Sequence, residues 1–127
     1  MLNFYVYVDG SDLDQCETDL ARAFSAFVTR FGHEGAFVSD KYPRAPDMHP
    51  DDLPLWNLGI NFRTTELTKD SSDQLVLFLS QLGQKTGRDF VIGLWHQDRG
   101  ISDDLMFIDG QSSLHDSAAL CSMANGR

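Results

Sequence analysis

An α+β domain, an antiparallel sheet carrying its helices on one face, is what this amino-acid sequence predicts, and three observations predict it. Stretches of period-2 hydrophobicity take turns along the chain with stretches of period 3.6. Two of the strand-like stretches, Leu2 to Val8 and Leu55 to Thr64, have one apolar face and one face that is polar, aromatic or small, which suits a sheet covered on one side only. The length, 127 residues with 42% hydrophobic content and nine Phe, is that of a single domain, 1–127, with a sizeable core.

In the first strand Leu2, Phe4, Val6 and Val8 alternate with Asn3, Tyr5 and Tyr7, and Asp9-Gly10-Ser11-Asp12 ends it. Cys16, Leu20, Phe24, Phe27, Val28 and Phe31 then make the stripe of an amphipathic helix that can cover the strand's apolar face. Asp14-Gln15-Cys16-Glu17 has capping-box spacing, with Ser11 a competing cap, and Gly32 suits the left-handed position after the last turn. Gly35 to Tyr42 reads as a second strand. All four prolines, Pro43, Pro46, Pro50 and Pro54, fall in the loop that follows, and loops of this length are often functional. Trp56, Leu58, Ile60 and Phe62 line the third strand.

Ser71-Ser72-Asp73-Gln74 can cap a second helix that buries Leu75, Val76, Phe78, Leu79 and Leu82, with Gly83 and Gly87 bracketing its end. Asp89 to His96 is a fourth strand with Phe90, Ile92 and Leu94 on one face. Gln97 to Asp104 reads as a polar turn, and Leu105 to Ile108 as a short fifth strand. Ser112 or Ser113 caps a last helix through Cys121, after which Asn125-Gly126-Arg127 should fray. The order β-α-β-β-α-β matches the ferredoxin-like, split βαβ plan, here extended by a fifth strand and a short C-terminal helix. That plan implies a sheet order 4-1-3-2 with the fifth strand beside the fourth. A meander of the same elements competes with it, and the right-handed crossover rule favours the split arrangement.

A formal charge of −9 argues against direct contact with nucleic acid or an anionic membrane, both of which need clustered cations, and permits a basic partner. Cys16 and Cys121 form no CxxC pair and read as reduced thiols, one of them a small core residue. Apolar runs such as Val76 to Leu79 are too short to span a bilayer, and the N-terminus lacks the basic and apolar regions of a secretory signal. A cytoplasmic protein with no cofactor is the expectation.

Four groups of residues could carry function. Asp9, Asp12, Asp14, Glu17 and Asp19 crowd the start of the first helix; a helix dipole accounts well for Asp12, Asp14 and Glu17, and less well for Asp9 and Asp19. Asp47, His49, Asp51 and Asp52 in the proline loop could hold a divalent metal, but no known motif has their spacing and a solvated acidic loop is the plainer reading. His96, beside Asp98, Asp103 and Asp104, could pair with a carboxylate in acid–base chemistry, although no nucleophile motif or phosphate loop accompanies it. Tyr5, Tyr7 and Trp95 sit where an uncovered sheet face would offer aromatic anchors.

In the split plan the first, second and fifth strands run the same way. Asp9, Asp12, Asp14, Asp47, Asp51, Asp52 and Asp109 then share one rim, and such a rim speeds capture of a basic protein. Bacterial immunity proteins, which neutralise toxins such as basic nucleases, are a class similar in size, charge and lack of motifs. The expected function is therefore a protein-binding module. A small metal- or ligand-binding enzyme using His96 or His49, and a homodimer or larger homo-oligomer pairing its open sheet faces, are the alternatives.

Overall fold

The alternation of Leu2–Val8 buries Phe4, Val6 and Val8 and leaves Tyr5 and Tyr7 on the other side of strand β1 (Leu2–Asp9). The computed structural model describes residues 2–10, 16–33, 37–43, 56–96 and 98–126. After β1 come α1 (Glu17–Phe31), β2 (Phe37–Pro43), β3 (Trp56–Thr64), α2 (Lys69–Thr86), β4 (Asp89–His96), β5 (Ile101–Ile108) and α3 (Leu114–Asn125). This is an α+β architecture. The strands form one antiparallel sheet in the order β2-β3-β1-β4-β5.

The three helices lie on the face that carries Phe4, Val6, Leu58, Ile60, Phe62, Phe90, Ile92 and Ile108, because their own apolar stripes share one core with those residues. Phe24 of α1 meets Phe90 of β4 edge to face, with centroids 6.1 Å apart, and Phe27 stacks on Phe78 of α2 at 4.2 Å. Phe4 and Phe62, in register on β1 and β3, stack at 4.9 Å. Each fully buried Phe contributes roughly 1.5–3 kcal/mol by leaving water, so this face supplies most of the driving force. No helix is long and apolar enough to cross a membrane among the described residues.

Several boundaries differ from expectation. The cap of α1 is Cys16, whose side chain makes no capping hydrogen bond, and the capping candidates Asp14 and Ser11 lie outside the described residues. Glu17 and Asp19 both fall in the first turn, so the dipole accounts for Asp19 after all. α2 starts at Lys69, not at Ser71, because the Thr68 hydroxyl accepts from the Ser71 amide and takes the cap first. Gly83 lies inside that helix. A side chain there would stand 3.0 Å from the Gly110 nitrogen and the Arg88 carbonyl, so its smallness serves packing, while Gly87 ends the helix with a left-handed backbone.

β5 starts at Ile101, four residues before the expected Leu105. Ser102, Asp103 and Asp104 pair with β4 although they are polar. Between Ile92 and Gly93 the register shifts from Met106 to Asp104, a bulge that leaves Leu105 as the extra residue and hides the strand's alternation. α3 runs on to Asn125, which does not fray. The Asn125 carboxamide accepts from the Leu67 amide and donates to the Leu67 carbonyl, each at 2.9 Å.

Polar contacts also fasten α3 to α2. The buried Ser117 hydroxyl donates to Asp73 at 2.6 Å, and the Ser72 hydroxyl donates to the Ser117 carbonyl at 2.9 Å. Lys69 pairs with the same Asp73 at 3.0 Å. The hydrogen bond from Ser117, and then that from Lys69, hold the Asp73 carboxyl below its ordinary value.

Candidate functional site on the open sheet face

No helix among the described residues covers the other side of the sheet. Strand alternation and register place Tyr5 and Tyr7 of β1, Gly59 and Asn61 of β3, Val91, Gly93 and Trp95 of β4, and Asp104 and Phe107 of β5 there. Tyr5 and Tyr7 stack with centroids 5.9 Å apart. The Tyr5 ring lies over Gly93, where a Cβ would overlap the ring carbon and hydroxyl and stand 2.7 Å from the Asp103 carbonyl. Gly93 is thus the gap that lets the Tyr5 hydroxyl reach across β4 and donate to the Asp104 carboxylate on β5. Burial, and next the neighbouring Asp104, push the Tyr5 hydroxyl far above the ordinary tyrosine range. Burial, with Asp104 and Asp9 nearby, raises Tyr7 to about 12. Both phenols are neutral donors at physiological pH.

Val91 is fully buried although it belongs to this face. Its in-register neighbours are Tyr7 on one side and Phe107 on the other. Phe107 itself is 64% exposed, and Trp95 is 44% exposed. The tyrosines therefore have part of their surface occupied within the sheet, while among the described residues Phe107 and Trp95 are the exposed large apolar side chains of this face.

Charge gathers at the end of this face where β1 stops. Asp9 is in register with Asp89 on β4, and Asp109 follows Ile108, the residue in register with Phe90. Asp9, Asp89 and Asp109 consequently stand on three adjacent strands at one rim. None of the three makes an ion pair among the described residues. Asp109 is fixed by its turn: its carboxylate accepts from the Gln111 amide at 2.8 Å and its own amide donates to the Ser112 hydroxyl at 3.0 Å. Directly opposed carboxylates on neighbouring strands disfavour each other by a few tenths to about 1 kcal/mol. Lys85 in the last turn of α2 and Arg88 just before β4 belong to the same end of the molecule.

Of the residues expected on the rim, Asp9 and Asp109 are brought together. Asp12, Asp14, Asp47, Asp51 and Asp52 lie outside the described residues, as does His49. Trp95 shares the face but not the rim, since it lies six residues along β4 from Asp89, roughly 20 Å away. His96 ends β4, and its carbonyl accepts from the Arg99 and Gly100 amides, which makes its backbone part of the β4–β5 turn. Among the described residues no three His, Cys, Asp or Glu side chains are grouped to hold a metal ion. Cys16 and Cys121 form no disulfide among the described residues, and both are half-buried.

Two members of this face were not singled out from the sequence. Asp89 was available from strand direction alone, since the start of β4 must meet the end of β1 if the two are antiparallel. Phe107 was available from alternation, because Met106 and Ile108 point inward. The pairing of Tyr5 with Asp104 was not available, because the bulge at Leu105 sets it. The chain matches no protein-family model, no curated protein and no solved structure.

Proposed function

We propose that this protein is a binding module that takes a basic protein partner on the open face of its sheet, at the end where Asp9, Asp89 and Asp109 meet. The observation that carries the proposal is that row of three carboxylates on adjacent strands, next to Tyr7. Like charges side by side in a sheet lower stability, and a cationic partner turns the same arrangement into attraction. The overall charge of −9 adds long-range steering of the same sign. A cytoplasmic immunity protein of bacterial type, neutralising a basic toxin such as a nuclease domain, is the class this proposal points to. The finer reading of the fold, a ferredoxin-like plan with β5 and α3 as extensions, belongs to the same proposal and is supported by the observed strand order.

The test is association kinetics against a panel of basic nuclease-type toxin domains at several salt concentrations. The expected result is a fast association rate that falls steeply with salt and drops about tenfold in an Asp9→Lys/Asp89→Lys variant. Rates that ignore both salt and the charge reversal overturn the proposal.

A further inference from the structure

β5 is the last strand of the sheet, and along its outer side no strand pairs with it among the described residues. Such an edge offers a row of backbone donors and acceptors to another extended segment. Its side chains restrict what that segment can be. By register Asp104 and Phe107, the latter 64% exposed, belong to the open face together with Ser102, whereas Ile101 and Asp103 belong to the other face.

A second copy of the chain fits this edge poorly. With the two β5 strands antiparallel and fully overlapped, Asp104 faces Leu105 of the copy, and the two Asp104 residues stand one place apart. A slip of one residue in one direction sets Asp104 directly against Asp104 of the copy. A slip in the other sets the same two carboxylates diagonally. Like charges so placed oppose pairing, and opposite charges favour it. The bulge at Leu105 divides the edge into two short regular stretches, which keeps a flat apolar strand from zipping along it and leaves selection to the side chains opposite.

We infer that β5 is a docking edge for an extended peptide segment of the partner, one carrying Lys or Arg at alternate positions so that its cations lie on the open face beside Asp104. This rests on the proposed taste for a basic partner and narrows the contact to strand addition.

The experiment follows amide hydrogen exchange by NMR in the full chain, with ten-residue peptides alternating Lys with Thr or Glu with Thr as probes. The Lys peptide is expected to slow exchange at least tenfold at alternate amides within 101–108, and the Glu peptide to leave them unchanged. Phe107→Lys, which adds a cation and removes no hydrogen bond, should weaken the Lys peptide fivefold or more. Asp104→Lys should shift preference towards the Glu peptide. Protection confined to other elements, equal protection by both peptides, or none at saturation overturns the inference. So does peptide-free protection of β5 that grows with protein concentration, which would make a second copy the occupant. Cytochrome c, a basic globular protein, separates the two proposals. Salt-sensitive binding of cytochrome c with no β5 protection by the Lys peptide leaves the acidic rim standing and removes the strand edge, whereas loss of both removes the rim as well.

Discussion

On the helix side of the sheet, Phe4, Phe62 and Phe90 are sealed under Phe24, Phe27 and Phe31 of α1. On the open side, Tyr5 and Tyr7 stack in the corresponding positions of β1 with their hydroxyls among carboxylates. The same strand thus builds two kinds of aromatic surface. One is held by removal from water. The other is held by a ring lying over Gly93 and a hydroxyl bonded to Asp104. The contrast teaches that stability resides on the first face, and that the second is free to carry charge that the first could not accept.

The sharpest way to break this contrast is Phe24→Ala. Phe24 is fully buried against Phe78 and Phe90, and its truncation should cost about 3–5 kcal/mol in urea unfolding. A cost below about 1 kcal/mol would mean that the helix face is not the stabilising one. On the open face, Gly93→Ala should cost about 1–3 kcal/mol, since the new methyl group must displace the Tyr5 ring. Loss of near-ultraviolet circular dichroism from the tyrosines should accompany it. Tyr5→Phe keeps the ring and removes the hydroxyl that bonds Asp104 and Ser102, so a smaller loss of about 1–1.5 kcal/mol is expected.

Alkaline titration sharpens the comparison further. Tyr7 moves from 10.0 to about 12 in the fold, so the folded state favours its neutral form. The stability linked to that shift is whole below pH 10 and is lost as pH rises through about 12, a loss of about 1 kcal/mol after allowance for solvent at a half-exposed group. Absorbance at the phenolate band should show two tyrosines titrating late. Ordinary ionisation of all three tyrosines would break the reading of this face. The smallest expected effect has the opposite sign. Asp89→Asn relieves the opposition to Asp9 and should stabilise the chain by roughly 0.2–1 kcal/mol while slowing capture of a basic partner.

Much of the inward face was legible because burial leaves a periodic trace: Phe4, Val6 and Val8, Phe90 and Ile92, and the stripe Leu20, Phe24, Phe27 and Phe31 are all buried. The start of β5 was not, because a bulge at Leu105 breaks the period and the polar run Ser102-Asp103-Asp104 imitates a turn. The start of α2 was missed because several hydroxyl residues compete for the cap and only geometry chooses Thr68. At the candidate site, Asp9 and Asp109 could be joined from strand direction, whereas Tyr5 and Asp104, 99 residues apart, are joined by a gap at Gly93 that no local pattern announces.

The double hydrogen bond between Leu67 and Asn125 has a consequence for how the molecule is made. Leu67 sits just ahead of α2, and the carboxamide that satisfies both of its backbone groups arrives 58 residues later. During synthesis the middle of the chain must wait, with its second helix incompletely anchored, until the last turn of α3 has emerged from the ribosome. Asn125→Ala should therefore leave the helical content of the finished protein nearly intact while letting α3 peel away sooner under limited proteolysis, a vulnerability in time more than in shape.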